Sequence, residues 1–422
     1  MKKLLFYVSA FILLLGITGC GRKNYLPDTY VEESDFQYMR QGSMDLQPDM
    51  QKGEKGYYFR HDAFIYYLDE ETEKLLPLCN RVDCLHDMET EPARYETCNA
   101  YVQPYGGQSC STGFEYYKGY LYYIAQSYEG METILTLYRL SEDGAEKEQI
   151  YQWKEVYIMD WMIHRGIFYY SEGIFEESDS EDEVVEEYFF VKAIDLTKVV
   201  KRPKTIFEPS REEIDYLGIQ WLTAYGNYLY FLVTGNGAGY EKVHIYNIKN
   251  GNVSELALEG HEEENISSVV FWQDHILFSL DVFDVNDMEY SSFTPKTWYM
   301  ANLDGSNSQV FMEDVLSGYS FRSDGEYLYV TNSFIVTRDE LGLMEYNEKK
   351  TFWVYDKEKQ LVDTFLLPDE IKDLGLPPIG DPQRMYTVYK DDTEWGVLYW
   401  DKSQIGNCNG GAPQLKKIPY SF

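Results

Sequence analysis

An aromatic two-strand unit returns along this chain at intervals of 47 to 63 residues, and few folds accommodate such a repeat. Its clearest copy runs from Gly119 to Gly144: Gly119-Tyr120-Leu121-Tyr122-Tyr123, a gap, then Leu137-Tyr138-Arg139-Leu140-Ser141-Glu142-Asp143-Gly144. The first half recurs as Gly56-Tyr57-Tyr58-Phe59, Gly166-Ile167-Phe168-Tyr169, Asn227-Tyr228-Leu229-Tyr230, His275-Ile276-Leu277-Phe278, Glu326-Tyr327-Leu328-Tyr329 and, more weakly, Arg384-Met385-Tyr386-Thr387. The second half recurs as Tyr66-Tyr67-Leu68-Asp69, Val191 to Asp195, Ile245 to Gly251, Trp298 to Gly305, Trp353 to Asp356 and Leu398 to Asp401. Asp-Gly and Asn-Gly pairs supply the positive φ that tight hairpin turns need. A further short apolar run follows, such as Val253 to Leu258 or Val362 to Leu367, and reads as an outer strand.

Four short strands per unit plus loops require a period of roughly fifty residues, which predicts a β-propeller. Aromatic residues make up 17% of the chain, and no long stretch places apolar residues at helical spacing, so the expected class is all-β. The count is seven four-stranded blades. Six or eight stay open because the first and last copies are degenerate, and the two termini are candidates to share one blade.

The N-terminus reads as an export signal. Lys2 and Lys3 precede an apolar run from Leu4 to Gly16 that is shorter than the ~20 residues a bilayer span needs. Ile17-Thr18-Gly19-Cys20 resembles the lipobox of bacterial lipoproteins, which implies lipidation at Cys20, removal of residues 1–19, and a protein held on the extracytoplasmic face of the cell membrane. Residues 20–55 read as the lipidated Cys and a polar tether serving reach, its last residues available for an edge strand; residues 56–422 read as the propeller domain. The net charge is −34, and loss of the two leader lysines makes it more negative. Nucleic acid and anionic head groups repel such a surface, so membrane attachment falls to the lipid.

Four of the remaining cysteines crowd into one interruption of the repeat, as Cys79-x4-Cys84-x-His86-x11-Cys98-x11-Cys110. Three readings fit. Two disulfides would each add ~2–4 kcal/mol in an exported protein. Cys79, Cys84, His86 and Cys98 would alternatively form a structural Cys3His zinc site. The thiols are otherwise free. Cys408, in a Gly/Asn-rich loop, is either a spare thiol or a partner for the cluster that closes the ring. Two acidic interruptions, 175–188 and 281–295, read as solvated hairpin tips, because a calcium loop wants a Gly for its sharp turn and alternating ligands.

Signatures of catalysis do not stand out. Gly-x-Ser-x-Gly and the phosphate-binding Gly-x-x-x-x-Gly-Lys-Ser/Thr are missing, and His261-Glu262-Glu263-Glu264-Asn265 lacks the second His of a zinc protease helix. The pattern of aromatic strand followed by Tyr-x-Ile/Leu-x-x-Asp-Gly is similar to TolB-like propellers over roughly residues 56 to 420. Together with the lipobox it resembles exported propeller lipoproteins of Gram-positive anaerobes. That resemblance implies binding of an envelope or extracellular protein or glycan without catalysis. The alternative expectation is a hydrolase or lyase acting on polysaccharide or peptide at the central channel mouth.

Overall fold

A computed structural model describes residues 26–29, 31, 35, 50–88, 91–95, 97–102, 113–176, 186–209, 217–235, 241–262, 264, 266–272, 274–280, 296–315, 320–324, 326–331, 335–338, 344–346, 351–366, 379–380, 383–390 and 394–420. Strands dominate them, in seven four-stranded antiparallel sheets. Blade one is β1 to β4 (Met50–Lys52, Gly56–His61, Phe64–Asp69, Lys74–Pro77) and blade two β5 to β8 (Phe114–Tyr117, Tyr120–Glu129, Glu132–Ser141, Lys147–Lys154). Blade three is β9 to β12 (Tyr157–His164, Ile167–Glu176, Glu186–Asp195, Lys204–Phe207) and blade four β13 to β16 (Leu217–Tyr225, Tyr228–Gly235, Glu241–Asn247, Val253–Glu255). Blade five is β17 to β20 (Ile266–Trp272, His275–Leu280, Lys296–Asn302, Gln309–Val315). In blade six β21 and β22 (Ser320–Ser323, Leu328–Thr331) pair onward with β25 and β26 (Thr351–Tyr355, Leu361–Leu366), and a separate hairpin, β23 and β24 (Ile335–Arg338, Met344–Tyr346), interrupts them. Blade seven is β27 to β30 (Ile379–Gly380, Arg384–Lys390, Trp395–Asp401, Lys416–Pro419).

The architecture is thus the expected seven-bladed propeller, with two corrections to the reading of the repeat. The aromatic unit lies in the second and third strands of each blade; the first strand precedes it. Blade one accordingly begins at Met50, in the last residues of the 20–55 segment, where an edge strand was available. Among the described residues the termini share no sheet either, because each blade is built from one continuous stretch of chain. Aromatic packing closes the ring instead. Tyr57 of β2 lies 4.2 Å from Tyr386 of β28, ring centre to ring centre, and His61 stacks on Trp395 at 4.1 Å. Tyr399 Oη donates to Glu73 Oε1 at 2.7 Å across the same seam. Fully burying one such ring is worth about 1.5–3 kcal/mol, so several together replace a shared strand.

First strands carry polar side chains that serve the neighbouring blade. Gln51 Oε1 accepts the Tyr116 N–H (3.3 Å), Glu115 Oε2 accepts the Ile163 N–H (2.5 Å), and Asp160 Oδ2 accepts the Leu222 N–H (2.7 Å). In blades one, two and three, the first strand therefore satisfies a backbone donor in the next one round. Buried donors left unmade are costly, which explains acids on otherwise apolar strands.

The segment expected to serve reach also packs. Arg165, in the β9–β10 turn, donates from Nε and Nη2 to both Asp35 carboxylate oxygens (2.7 and 2.6 Å) and from Nη1 to the Pro27 carbonyl (2.9 Å). Asn227, in the β13–β14 turn, donates to the Leu26 and Pro27 carbonyls, and Lys249 pairs with Asp28 at 2.9 Å. His164 is buried beneath them with Nε2 on the Gly226 carbonyl (2.7 Å); burial lowers its pKa to about 4, so the ring is neutral at ordinary pH.

Candidate metal centre

The interruption after β4 folds back onto blades one and two. The Leu78 N–H donates to the Ile65 carbonyl, the Ile65 N–H to the Ala100 carbonyl, and the Val102 N–H to the Ala63 carbonyl, so both ends of the loop are pinned to β3 and the turn before it. On the other side the loop rests on the turn that ends the Gly119–Gly144 unit: Asn99 Nδ2 donates to the carbonyls of Gly144 (2.8 Å) and Ala145 (3.2 Å). Gly144 sits at φ +69°, and a Cβ there would lie 2.6 Å from the Leu78 carbonyl carbon and oxygen. Only glycine permits both the turn and the approach.

This fold brings Cys79, Cys84, His86 and Cys98 together, with one ligand atom from each lying within 4.8 Å of all the others. His86 Nδ1 stands 3.8 Å from Cys98 Sγ. A tetrahedral zinc with Zn–S near 2.3 Å and Zn–N near 2.1 Å separates its ligand atoms by about 3.6–3.8 Å, so the four residues fit that ion with small adjustments. His86 reaches inward because its backbone takes φ +54° at the start of the His86–Met88 turn, and its N–H points at Cys84 Sγ (3.4 Å). Beyond the ligands, Arg81 holds the loop by donating to the Thr97 carbonyl at 2.5 Å, and Tyr66 Oη donates to Asp87 Oδ2 at 2.8 Å.

The electrostatics match the donor set. Burial raises the Cys79 thiol, but N–H groups of Arg81 and Asn99 and the thiols of Cys98 and Cys84 donate to its sulfur, and the net shift is downward. Burial, and then the charge of Cys79, push Cys98 well above the usual thiol range. A half-buried thiol eased toward ionisation beside a buried one that resists it is a donor pair that a dication would relieve. Burial lowers Lys147 to about 8, opposed by Cys98 and Cys79; its Nζ donates to the Tyr101 carbonyl at 2.9 Å.

Cys79, Cys84 and Cys98 are free thiols in this arrangement, and Cys110 and Cys20 lie outside the described residues. Cys408 does not join them. It is a free thiol in the β29–β30 connection, packed with blades six and seven, and Asp363 accepts the N–H groups of Gly406, Cys408 and Asn409 there. The acidic stretch 177–185 and the segment 281–295 lie outside the described residues. The other histidines are dispersed: His61 stacks on Trp395, His244 on Phe231, His261 pairs with Glu264, and His275 with Asp274. Among the described residues no helix is long and apolar enough to cross a membrane.

No family model matches the chain, and no curated protein is significantly similar to it. Solved structures resemble it at the level of fold. A puromycin-hydrolysing peptidase from Mycobacterium tuberculosis aligns over 94% of this chain at 10% identity and a TM-score of 0.46; the chain spans 56% of that enzyme's length. An oligogalacturonate lyase from Vibrio parahaemolyticus aligns over 89% of both chains at 12% identity and a TM-score of 0.47. TolB from Acinetobacter baumannii aligns over 83% of this chain and 75% of its own, at 10% identity and a TM-score of 0.37. The blade count rests on the sheet order itself.

Gly144→Ala tests the contact between the repeat and the cysteine loop. Placing alanine at this φ costs about 1–2 kcal/mol, and its methyl displaces Leu78 and Cys79. We expect zinc affinity, read by competition with a chromophoric chelator, to fall at least tenfold. Unchanged affinity would mean that the turn does not position Cys79.

Proposed function

We propose that the protein is a lipid-anchored extracytoplasmic β-propeller that binds an envelope protein or glycan without catalysis, its blade-one loop locked by a structural zinc. The observation that carries the non-catalytic reading is the commitment of the first-strand carboxylates Glu115 and Asp160 to backbone donors of the next blade. An active site at the channel mouth needs such acids converging on one another and open to substrate. Among the described residues, the metal-ligating cluster that does converge lies instead on the blade-one connection, and a Cys3His set of four protein ligands is closed, with no position left for substrate. Anchoring rests on the Ile17-Thr18-Gly19-Cys20 motif and the charge that rules out electrostatic attachment.

Purified protein should carry one zinc per chain and retain an envelope glycan or protein fraction without shortening it, as read by mass spectrometry of the retained material. Time-dependent cleavage of polysaccharide or peptide that survives removal of contaminating enzymes would overturn the reading.

A further inference from the structure

The described residues of the N-terminal segment form a latch, and we infer that this latch sets which face of the propeller looks toward the membrane. The inference rests on the anchoring read at Cys20. Asp35 is fully buried, and Arg165, whose side chain is 7% exposed, grips its carboxylate through two donors. The same guanidinium takes the carbonyls of Pro27 and Thr29 and the Asn227 side-chain oxygen, so one group ties three points of the segment to two blades. Asn227, 2% exposed, also donates to Leu26, Pro27 and Asp28. Gly226 lies so close that an added Cβ would sit 1.6 Å from the Asp28 carbonyl oxygen. An interface with buried charge, matched carbonyls and a glycine kept bare is built for one occupant, and the occupant is this segment.

Topology then fixes the face. Every neighbouring pair within a blade is antiparallel, so turns between first and second strands lie at the same end as turns between third and fourth strands, and turns between second and third strands lie at the other. Arg165 and Asn227 both belong to first-to-second turns. Lys118, in the corresponding turn of blade two, lies at that end too, since the Tyr117 hydroxyl reaches the space beside Gly166. Met131, fully exposed in the β6–β7 turn, lies at the other end of β6, about 30 Å away at ~3.3 Å per residue.

Leash length decides whether this matters. With the segment docked, six residues separate Cys20 from Leu26, a reach of at most ~20 Å. Undocked, thirty residues separate Cys20 from Met50, a contour of roughly 100 Å that exceeds the propeller and permits any orientation. The latch therefore turns the Lys118 end toward the bilayer and the Met131 end, with its second-to-third strand turns, toward the partner.

The test places a clickable fluorophore at position 118 or 131 of the full lipidated chain in vesicles carrying a head-group energy-transfer acceptor. Transfer from 118 should exceed transfer from 131 severalfold. Arg165→Ala, or replacement of residues 26–35 by a Gly/Ser run of equal length, should equalise the two while attachment persists. Equal transfer in the unmodified chain, or a difference that survives the replacement, would overturn the orientation. Amide exchange of residues 26–35 in detergent reads the latch without vesicles: protection lost in Arg165→Ala supports it, and equal exchange in both proteins overturns it. Failure of the unmodified chain to attach, or attachment that survives Cys20→Ser, would instead remove the anchoring reading.

Discussion

With the structural zinc proposed above in place, Cys98→Ser should abolish metal binding and make the protein's thermal midpoint indifferent to chelators. Cys98 is 1% exposed and belongs to the core that joins blades one, two and seven, so its sulfur is the ligand placed deepest in the fold. Serine is a poor zinc ligand, and three remaining donors at the end of a solvent-facing loop hold the ion far less well. A ligand present at about a thousandfold over its dissociation constant stabilises the folded state by about 4 kcal/mol. For a propeller of this size that corresponds to roughly 5 °C in Tm. Chelation of the unmodified protein should lower the midpoint by about that amount, and Cys98→Ser should start at the lower value and stay there. Iodoacetamide should reach Cys84 in the variant and in chelated wild type but not in the zinc form. A disulfide-locked loop would behave in the opposite way, with a midpoint insensitive to chelator and lowered by reductant.

The legible part of this centre was its membership. Two cysteines and a histidine within eight residues, followed by a third cysteine, named the four residues that converge. Their geometry was hidden, because it depends on Gly144 and on the hydrogen bonds from Asn99, and those partners lie 45 and 46 residues from Asn99 on another blade. Strand identity was legible for the same reason that it was incomplete. Runs within second and third strands, such as Tyr57-Tyr58-Phe59 or Leu398-Tyr399-Trp400, are buried on both faces between blades and rich in aromatic residues. The first strands of blades one and six, Met50-Gln51-Lys52 and Ser320-Phe321-Arg322-Ser323, are short and mixed in polarity, which gives them no period to read. Gln51, Glu115 and Asp160 looked like three among many polar residues, and only the register between blades shows each one meeting a backbone donor. The latch at Arg165 was equally silent, since a turn Arg next to Gly166 reads as solvated until a distant Asp35 is folded against it.

Lys402→Met should cost about 3–5 kcal/mol, a large effect for a side chain that touches no ligand. Lys402 follows β29, and its ammonium pairs with Asp324 in the turn after β21; each side chain is 3% exposed. The Asp324 carboxylate is already engaged on every side. Its Oδ1 accepts the N–H groups of Glu326 (2.9 Å) and Tyr327 (2.8 Å), and its Oδ2 accepts the Tyr329 hydroxyl at 2.7 Å. Those donors hold the carboxylate in place but carry no net charge, so methionine leaves a buried anion without its counterion, and the penalty is that of an unpaired buried charge. Asp324→Asn in the same chain removes the charge while its Oδ1 still serves the two backbone donors. The double variant should therefore recover at least half of the loss, a coupling of about 2 kcal/mol between the two sites. Urea midpoints followed by tryptophan fluorescence give the comparison, because Trp400 is buried two residues before Lys402 and reports on blade seven. A loss below about 1 kcal/mol for Lys402→Met would mean that water reaches the Asp324 carboxylate and solvates it. Additive single effects would mean that the pair does not couple blade six to blade seven.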